Sequence, residues 1–433
     1  MDQAMRDLLI NYCSVNFTKK RFIAGESSVP INGKVFDEHE IINMVEAVLD
    51  GWWTEGRFSA LFEQRIGNWL GVKYSALTNS GSSANLLALS ALTSLKLKER
   101  RIEPGSEIIT VAAGFPTTIN PIIQNGCIPV FVDVEIGSYN AIVDQIQEAV
   151  GPKTRAVFLA HTLGNPFDVD SILEICKKNN LWLIEDNCDA LGSVYHGKKT
   201  GTFGHIATCS FYPAHHITMG EGGAVFTNDA LLYRIVRSIR DWGRDCWCNT
   251  GQDNTCGKRF GWQLGNLPFG YDHKFIYSEI GYNLKTTDIQ AALGLSQFDK
   301  LENFIEMRKK NFTLLYNHLK KYEKFFVLPT WLDGADSSWF GFLLTVRQDS
   351  PFTRSDIIEH LQNKKIATRF LFAGNILRQP YFVERNIIHK SIGNLENTDY
   401  IMNNTFWVGC YPGITSEMLQ YMTEMFDEFL MKY

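Results

Sequence analysis

The sequence predicts an α/β fold: a large domain built on a mostly parallel sheet, followed by a smaller α+β domain at the C-terminus. Three observations carry this. From about residue 74, short apolar runs of strand length alternate with amphipathic stretches of helical length. The chain has 433 residues, 45% of them hydrophobic, enough for two or three domains with a large core. Beyond about residue 297 the alternation gives way to one long helical stretch and one strong strand signal. The expected divisions are an N-terminal segment 1–36, a large domain 37–296 and a small domain 297–433.

Residues 1–36 show no clean periodicity and are expected to drape over a neighbouring domain or subunit. A helix follows over Asp37–Leu49, where Asp37 and Glu40 form a capping-box pair and Ile41, Met44, Val45, Val48 and Leu49 share one face. Gly51 stops it. Expected strands are Tyr74–Thr78, Ile108–Val111, Pro129–Val132, Ala156–Ala160, Trp182–Ile184, Ala207–Phe211 and Ala224–Thr227. Between them lie helical patterns, notably Ala84–Lys98, Val143–Val150 and Ser171–Lys178, which places helices on both faces of the sheet. Residues 242–275, rich in Gly, Asn, Asp and Cys, break the rhythm as a loop longer than compact domains usually hold. A helical stretch over about 297–322 leads into the small domain. Its strand is Trp339–Val346, and its helices lie near 354–363 and 415–430.

Charge is nearly balanced, 42 basic against 47 acidic residues with no basic block, which speaks against nucleic-acid binding. The N-terminus has no apolar secretory core, and no apolar run reaches membrane-spanning length. Nine cysteines in so long a chain read as reduced or metal-bound thiols, so the expectation is a cytoplasmic enzyme.

Several motifs carry chemistry. Ser80-Gly81-Ser82-Ser83 follows a strand and opens a helix, a context that holds a phosphate or simply caps the helix. Asp186 ends the strand LWLIED, at the edge where such sheets gather ligand groups; it could equally cap a helix. Ser210–Gly223 reads SFYPAHHITMGEGG, with two adjacent histidines before a Gly-rich turn. Cys188, Cys246, Cys248 and Cys256 are separated by 57, 1 and 7 residues. Four thiolates suit structural zinc or a [2Fe–2S] cluster, and local spacing alone favours zinc. If the strand ran on to Cys188, its Cα would lie ~7 Å from that of Asp186. A metal there would sit close to whatever Asp186 holds. Cys13, Cys127, Cys176, Cys209 and Cys410 read as buried structural thiols.

Together these motifs resemble the nucleotide-sugar aminotransferases and dehydratases, fold-type I enzymes of pyridoxal phosphate (PLP). Where most of that family has the imine-forming lysine, this chain has His215, a mark of its sugar 3-dehydratases. The cysteine spacing resembles the iron–sulfur branch, whose substrate is CDP-4-keto-6-deoxyglucose and whose pathway is dideoxysugar synthesis for lipopolysaccharide O-antigen. The resemblance implies pyridoxamine phosphate (PMP) as cofactor. Gly81, Ser82 and Ser210 would bind its phosphate and Phe115 would stack on its ring. Asp186 would pair with the ring nitrogen, Asp189 would lie at the cofactor, and Asn283 would reach across a homodimer with shared active sites. His215 would be the catalytic base, with His216 as the neighbouring alternative. The four cysteines would hold a [2Fe–2S] cluster fed by a flavin- and iron–sulfur-containing, NADH-dependent reductase. Asp189, Tyr212 and Phe340 depart from the aminotransferase pattern alongside His215. Trp52–Arg57 would form the mouth of the site, unless the two tryptophans plug a core. Alternatives are a sugar aminotransferase, a cluster-free 3-dehydratase, and a non-catalytic zinc-binding relative. The nucleotide, CDP, TDP or GDP, stays open.

Overall fold

In the computed structural model, which describes residues 1–17 and 21–433, the larger sheet has eight strands among the described residues. Residues 18–20, part of the expected N-terminal segment, lie outside them. The strands are β1 (Tyr74–Thr78), β2 (Glu107–Val111), β3 (Ile128–Val132), β4 (Thr154–Ala160), β5 (Trp182–Asp186), β6 (Ile206–Ser210), β7 (Gly223–Thr227) and the short Lys390–Ser391. Their order is β1-β7-β6-β5-β4-β2-β3, with Lys390–Ser391 beside β3. Only β7 runs against its neighbours; the remaining pairings are parallel. Each of the seven expected strands coincides with one of β1–β7 to within a residue or two.

The N-terminal segment departs from expectation. α1 (Gln3–Asn16) is a helix whose start is capped by Asp2 on the Met5 amide. Cys13 is its one buried residue, so it lacks the apolar stripe that periodicity detects. It leans on α2 (Glu38–Leu49) through Arg6 and Glu46, 2.6 Å apart. The capping box of Asp37 and Glu40 on α2 is present. Further along, Val29 bridges to Ile366.

Helices α3 (Arg57–Leu70), α4 (Gly81–Ala91), α5 (Pro116–Gln124), α6 (Val143–Ala149), α7 (Val169–Lys178) and α8 (Ala230–Arg240) cover the sheet. Alternate strand residues face opposite ways. Ile108, Phe158 and Ile184 pack with Leu87 of α4 and Ile235 of α8. Ile109, Val157 and Leu183 pack with Ile146 of α6 and Ile172 of α7. The helix expected over 84–98 stops at Ala91, and a 3-10 turn, Leu95–Arg100, follows with Lys98 at φ 52°. The long stretch expected at 297–322 is two helices, α9 (Asp288–Phe298) and α10 (Leu301–Leu319), interrupted at Asp299–Lys300.

The small sheet is antiparallel, in the order β8 (Phe326–Val327), β9 (Gly341–Val346), β11 (Thr405–Gly409), β10 (Thr368–Arg369). It shares a core with α10, α11 (Arg354–Asn363) and a C-terminal helix, Ser416–Leu430. The part beyond 297 is not self-contained. Lys390–Ser391 extends the large sheet, and Asp133 of the large domain caps α12 (Glu396–Asn404) by accepting from the Asn397 and Thr398 amides at 2.9 and 2.8 Å. Among the described residues no helix is long and apolar enough to cross a membrane.

Candidate active site

The ends of β1, β6 and β7 are brought together by register: Thr78 pairs with Gly223, and Gly223 with Ser210. The chain leaves β1 into α4, so Ser80 and Gly81 sit against Ser210. A Cβ on Gly81 would overlap Ser210, its hydroxyl oxygen being only 2.6 Å away. One on Gly223 would overlap the Ser80 carbonyl. Ser80 caps α4, accepting from the Ser83 amide at 3.0 Å. What remains is a positive helix end at Gly81 and the exposed Ser82, beside the Ser210 hydroxyl, an arrangement suited to phosphate.

Asp186 ends β5 and is buried. Its Oδ2 accepts from Asn85 Nδ2 at 2.8 Å and Thr118 Oγ1 at 2.7 Å, and its Oδ1 from the Cys188 amide at 3.1 Å. Thr208 Oγ1 in turn donates to Asn85 Oδ1 at 2.5 Å. Among the described residues Asp186 has no cationic partner, although a buried carboxylate is costly without one. A protonated pyridine nitrogen supplies that charge, so the donor set fits PLP or PMP. Phe115 stands at the N-cap of α5, half exposed, with its ring 6.1 Å from that of Phe372. It is not a core residue. Asn85, Thr118 and Thr208 were missed; the available signal was a lone Asn on the otherwise apolar face of GSSANLLALSA.

The adjacent histidines part ways. His216 is fully buried, and its Nε2 faces the carbonyl oxygen and Oγ of Ser338. The Ser338 hydroxyl proton goes to the Leu191 carbonyl, so Nε2 must donate. Burial, with the charge of Arg308, pushes the His216 imidazole well below its usual range. His215 Nδ1 instead lies 3.4 Å from Asp189 Oδ1, without hydrogen-bond geometry, and its ring is 5.3 Å from that of Phe340. Its amide bonds to the carbonyl of Tyr212, a half-exposed residue, and its own carbonyl accepts from Arg308 Nη2 at 3.2 Å. Arg308 also holds the carbonyls of Trp339 and Phe340, each at 3.2 Å, and burial lowers its guanidinium to about 10. This buried arginine, also missed, fixes both His215 and Phe340.

Trp52 and Trp53 are exposed and plug no core. Glu55, between them and Gly56, pairs with the fully buried Arg240 at 2.7 Å and accepts from Thr250 Oγ1 at 3.0 Å. Arg240 also meets Glu63 at 3.3 Å, Asp241 at 3.1 Å and the Leu77 carbonyl at 2.9 Å. Asn283 is exposed, bridged by its backbone to Asp241, and accepts from Lys285 Nζ at 3.1 Å.

The loop 242–275 holds one short helical turn, which starts at His273. Cys246, Cys248 and Cys256 line one pocket with His273. Burial raises the Cys246 thiol; at Cys248, burial is outweighed by hydrogen bonds from Thr255, and the thiol falls below its usual value. Cys188 is elsewhere. β5 ends at Asp186, and Cys188 turns back against it, where burial and the Asp186 carboxylate push its thiol well up. Cys188 does not line that pocket, and among the described residues no three of the four sulfurs lie within 4.8 Å of one another. A 57-residue gap in sequence carries no information about where its two ends meet. The other five cysteines are buried thiols.

The sequence profile of the DegT/DnrJ/EryC1/StrS aminotransferase family matches residues 36–427. The lipopolysaccharide biosynthesis protein RfbH of Salmonella typhimurium is 55% identical, over 99% of this chain and 97% of its own. The dTDP-4-dehydro-2,6-dideoxy-D-glucose 3-dehydratase of Saccharopolyspora spinosa is 52% identical, over 95% of this chain and 88% of its own. Among solved structures, the E. coli GDP-4-keto-6-deoxy-D-mannose-3-dehydratase with bound hydrated PLP superposes with a TM-score of 0.80 at 29% identity, covering 92% of this chain and 98% of its own. The fold is that of the fold-type I PLP enzymes, and the chain belongs to the DegT/DnrJ/EryC1/StrS aminotransferase family.

Proposed function

We propose that this enzyme is a nucleotide-sugar 3-dehydratase that works with untethered PMP, removing the 3-hydroxyl of a nucleotide-linked 4-keto-6-deoxyhexose. The observation that carries the reading is His215, set against Asp189 and Phe340 in the run that resembles the family's lysine-bearing segment. Imidazole forms no stable imine but moves protons near neutral pH. The names of the relatives at 52% and 29% identity, both 3-dehydratases, support it.

PMP would supply an amine for the sugar ketone and an electron-accepting ring. Gly81, Ser82 and Ser210 would bind its phosphate at the start of α4. Asp186, held by Asn85, Thr118 and the Cys188 amide, would keep the ring nitrogen protonated. Phe115 would cover one face of the ring. Asp189, 3.4 Å from Nδ1, would hold that side of the His215 ring by charge, which leaves Nε2 to take a proton and deliver it to the departing hydroxyl. Exposed Asn283 would complete the phosphate site of a second subunit in a homodimer. The cysteine spacing resembles that of a branch with a CDP-linked substrate, in which Cys188, Cys246, Cys248 and Cys256 would hold an iron–sulfur centre supplying single-electron chemistry in partnership with a flavin-containing, NADH-dependent reductase. Because no three of the four sulfurs lie within 4.8 Å of one another among the described residues, a second reading is kept: the same dehydration without a cluster. A non-catalytic relative is disfavoured by the assembled site.

The test supplies PMP and CDP-, dTDP- or GDP-linked 4-keto-6-deoxyhexose and follows loss of the 3-hydroxyl by mass, with and without an electron donor. The reading predicts water loss in wild type and loss slowed at least about 100-fold in His215→Asn. Amino-group transfer to the sugar, or equal activity in both proteins, would refute it.

A further inference from the structure

One aromatic residue of the small domain holds a backbone conformation that its bulk disfavours. Phe372 has φ 42°, in the left-handed region where a bulky side chain is strained. Such strain persists where the surroundings over-determine it, and it gathers at functional sites. Both ends of its loop are pinned. Leu371 and Ile376 are buried, and the Ile376 amide donates to the Ala112 carbonyl at 3.0 Å. The Gly374 amide donates to the Leu371 carbonyl at 2.9 Å, and Gln379 Nε2 to the Ala373 carbonyl at 2.9 Å. Buried Asn375 donates from Nδ2 to Asp399 Oδ1 at 2.8 Å. The loop is thereby seated against the 112–115 turn that follows β2. There the Phe372 ring meets that of Phe115, centroids 6.1 Å apart and planes at 74°, the edge-to-face arrangement that aromatic pairs favour. Phe372 itself is partly buried, packed on the core that includes Phe340 and Trp407.

We infer that Phe372 is a positioning residue, which fixes the Phe115 ring so that a side chain of the small domain sets the stacking face offered by the large one. Phe115 is half exposed at the start of α5, and a phenyl ring so placed has several rotamers open to it. Stacking on a planar ligand requires one of them. A neighbouring ring held edge-on removes the others in advance, so binding does not bear the cost of ordering Phe115. The contact also accounts for the strain. Glycine would take φ 42° freely but would bring no ring to Phe115. The inference rests on the reading of Phe115 as the cover of the cofactor ring, and goes beyond it by naming what holds that cover in place.

The experiment uses full-length protein: wild type, Phe372→Ala, Phe372→Gly, Phe372→Tyr, Phe115→Ala and the double variant Phe115→Ala with Phe372→Ala. PMP is titrated by absorbance, the circular dichroism of the bound cofactor is recorded, and each protein is melted. Phe372→Ala should bind PMP about 3- to 10-fold more weakly, the range of an aromatic pair, with a diminished dichroic band. Phe372→Tyr, which keeps the ring, should match wild type. Phe372→Gly should melt above Phe372→Ala because the backbone strain is relieved, yet bind PMP no better. In protein already lacking the Phe115 ring, removing Phe372 should weaken binding by less than about 2-fold, since a positioning residue has nothing left to position. Equal affinity in wild type and Phe372→Ala would overturn the inference. So would additive losses in the double variant, or wild-type affinity in Phe372→Gly. Wild type that binds no PMP would refute the cofactor reading itself, and the inference with it.

Discussion

His216 donates its Nε2 proton to Ser338 in the core, whereas His215 keeps Nδ1 against Asp189 and its other nitrogen free of any such commitment. His215→Asn should therefore slow dehydration by about 100-fold or more, a typical general acid–base contribution, while bound-PMP absorbance is retained. His216 makes a prediction of another kind. Its folded-state value lies well below 6.5, so below that pH the unfolded chain takes up a proton that the folded chain refuses. Its stabilising contribution is whole above that pH and is lost as pH falls, at up to about 1.4 kcal/mol per unit. Urea melts across that range should show the slope in wild type and lose it in His216→Gln, whose amide still donates to Ser338. Asp186, Phe115 and the histidine pair were legible in sequence because each follows a strand or sits in a distinctive run. Asn85, Thr118, Thr208 and Arg308 were not, since their partners lie across the fold and a polar residue's burial leaves little local trace.

At the scale of elements, β1–β7 were readable because apolar runs of strand length stood between turn signals, and α1 was not because it buries so little. The start of α4 depends on a glycine that permits contact with Ser210. Gly81→Ala should cost about 1–3 kcal/mol through overpacking and weaken PMP binding, as measured by thermal melts and cofactor titration. The end of α8 depends on Arg240, which joins the Glu55 loop, α3 and the cysteine loop through Glu55, Glu63 and Thr250. Arg240→Ala would strand the partly buried carboxylates of Glu55, Glu63 and Asp241 and should cost about 3 kcal/mol. Hydrogen exchange in that variant should rise first in residues 52–57 and 248–252, and uniform protection there would count against this linkage.

At the scale of the molecule, the expected division near residue 296 is crossed in both directions. Val29 reaches forward to Ile366, while Lys390–Ser391 and α12 reach back to β3 and Asp133. A fragment ending at 296 should leave the β3 edge open and prove insoluble or molten, and full-length protein should unfold in one transition. Two separate transitions in calorimetry would contradict this. This lacing was invisible in sequence because a two-residue strand carries no pattern.

The late pairing of Lys390–Ser391 also sets an order of events during synthesis. While the ribosome is still translating the small domain, β3 is a bare sheet margin, and the nascent chain cannot complete its largest element until nearly nine-tenths of it has been made. Overexpression should therefore be limited by that interval rather than by the strength of the finished core, and co-expressed chaperones should raise the soluble yield.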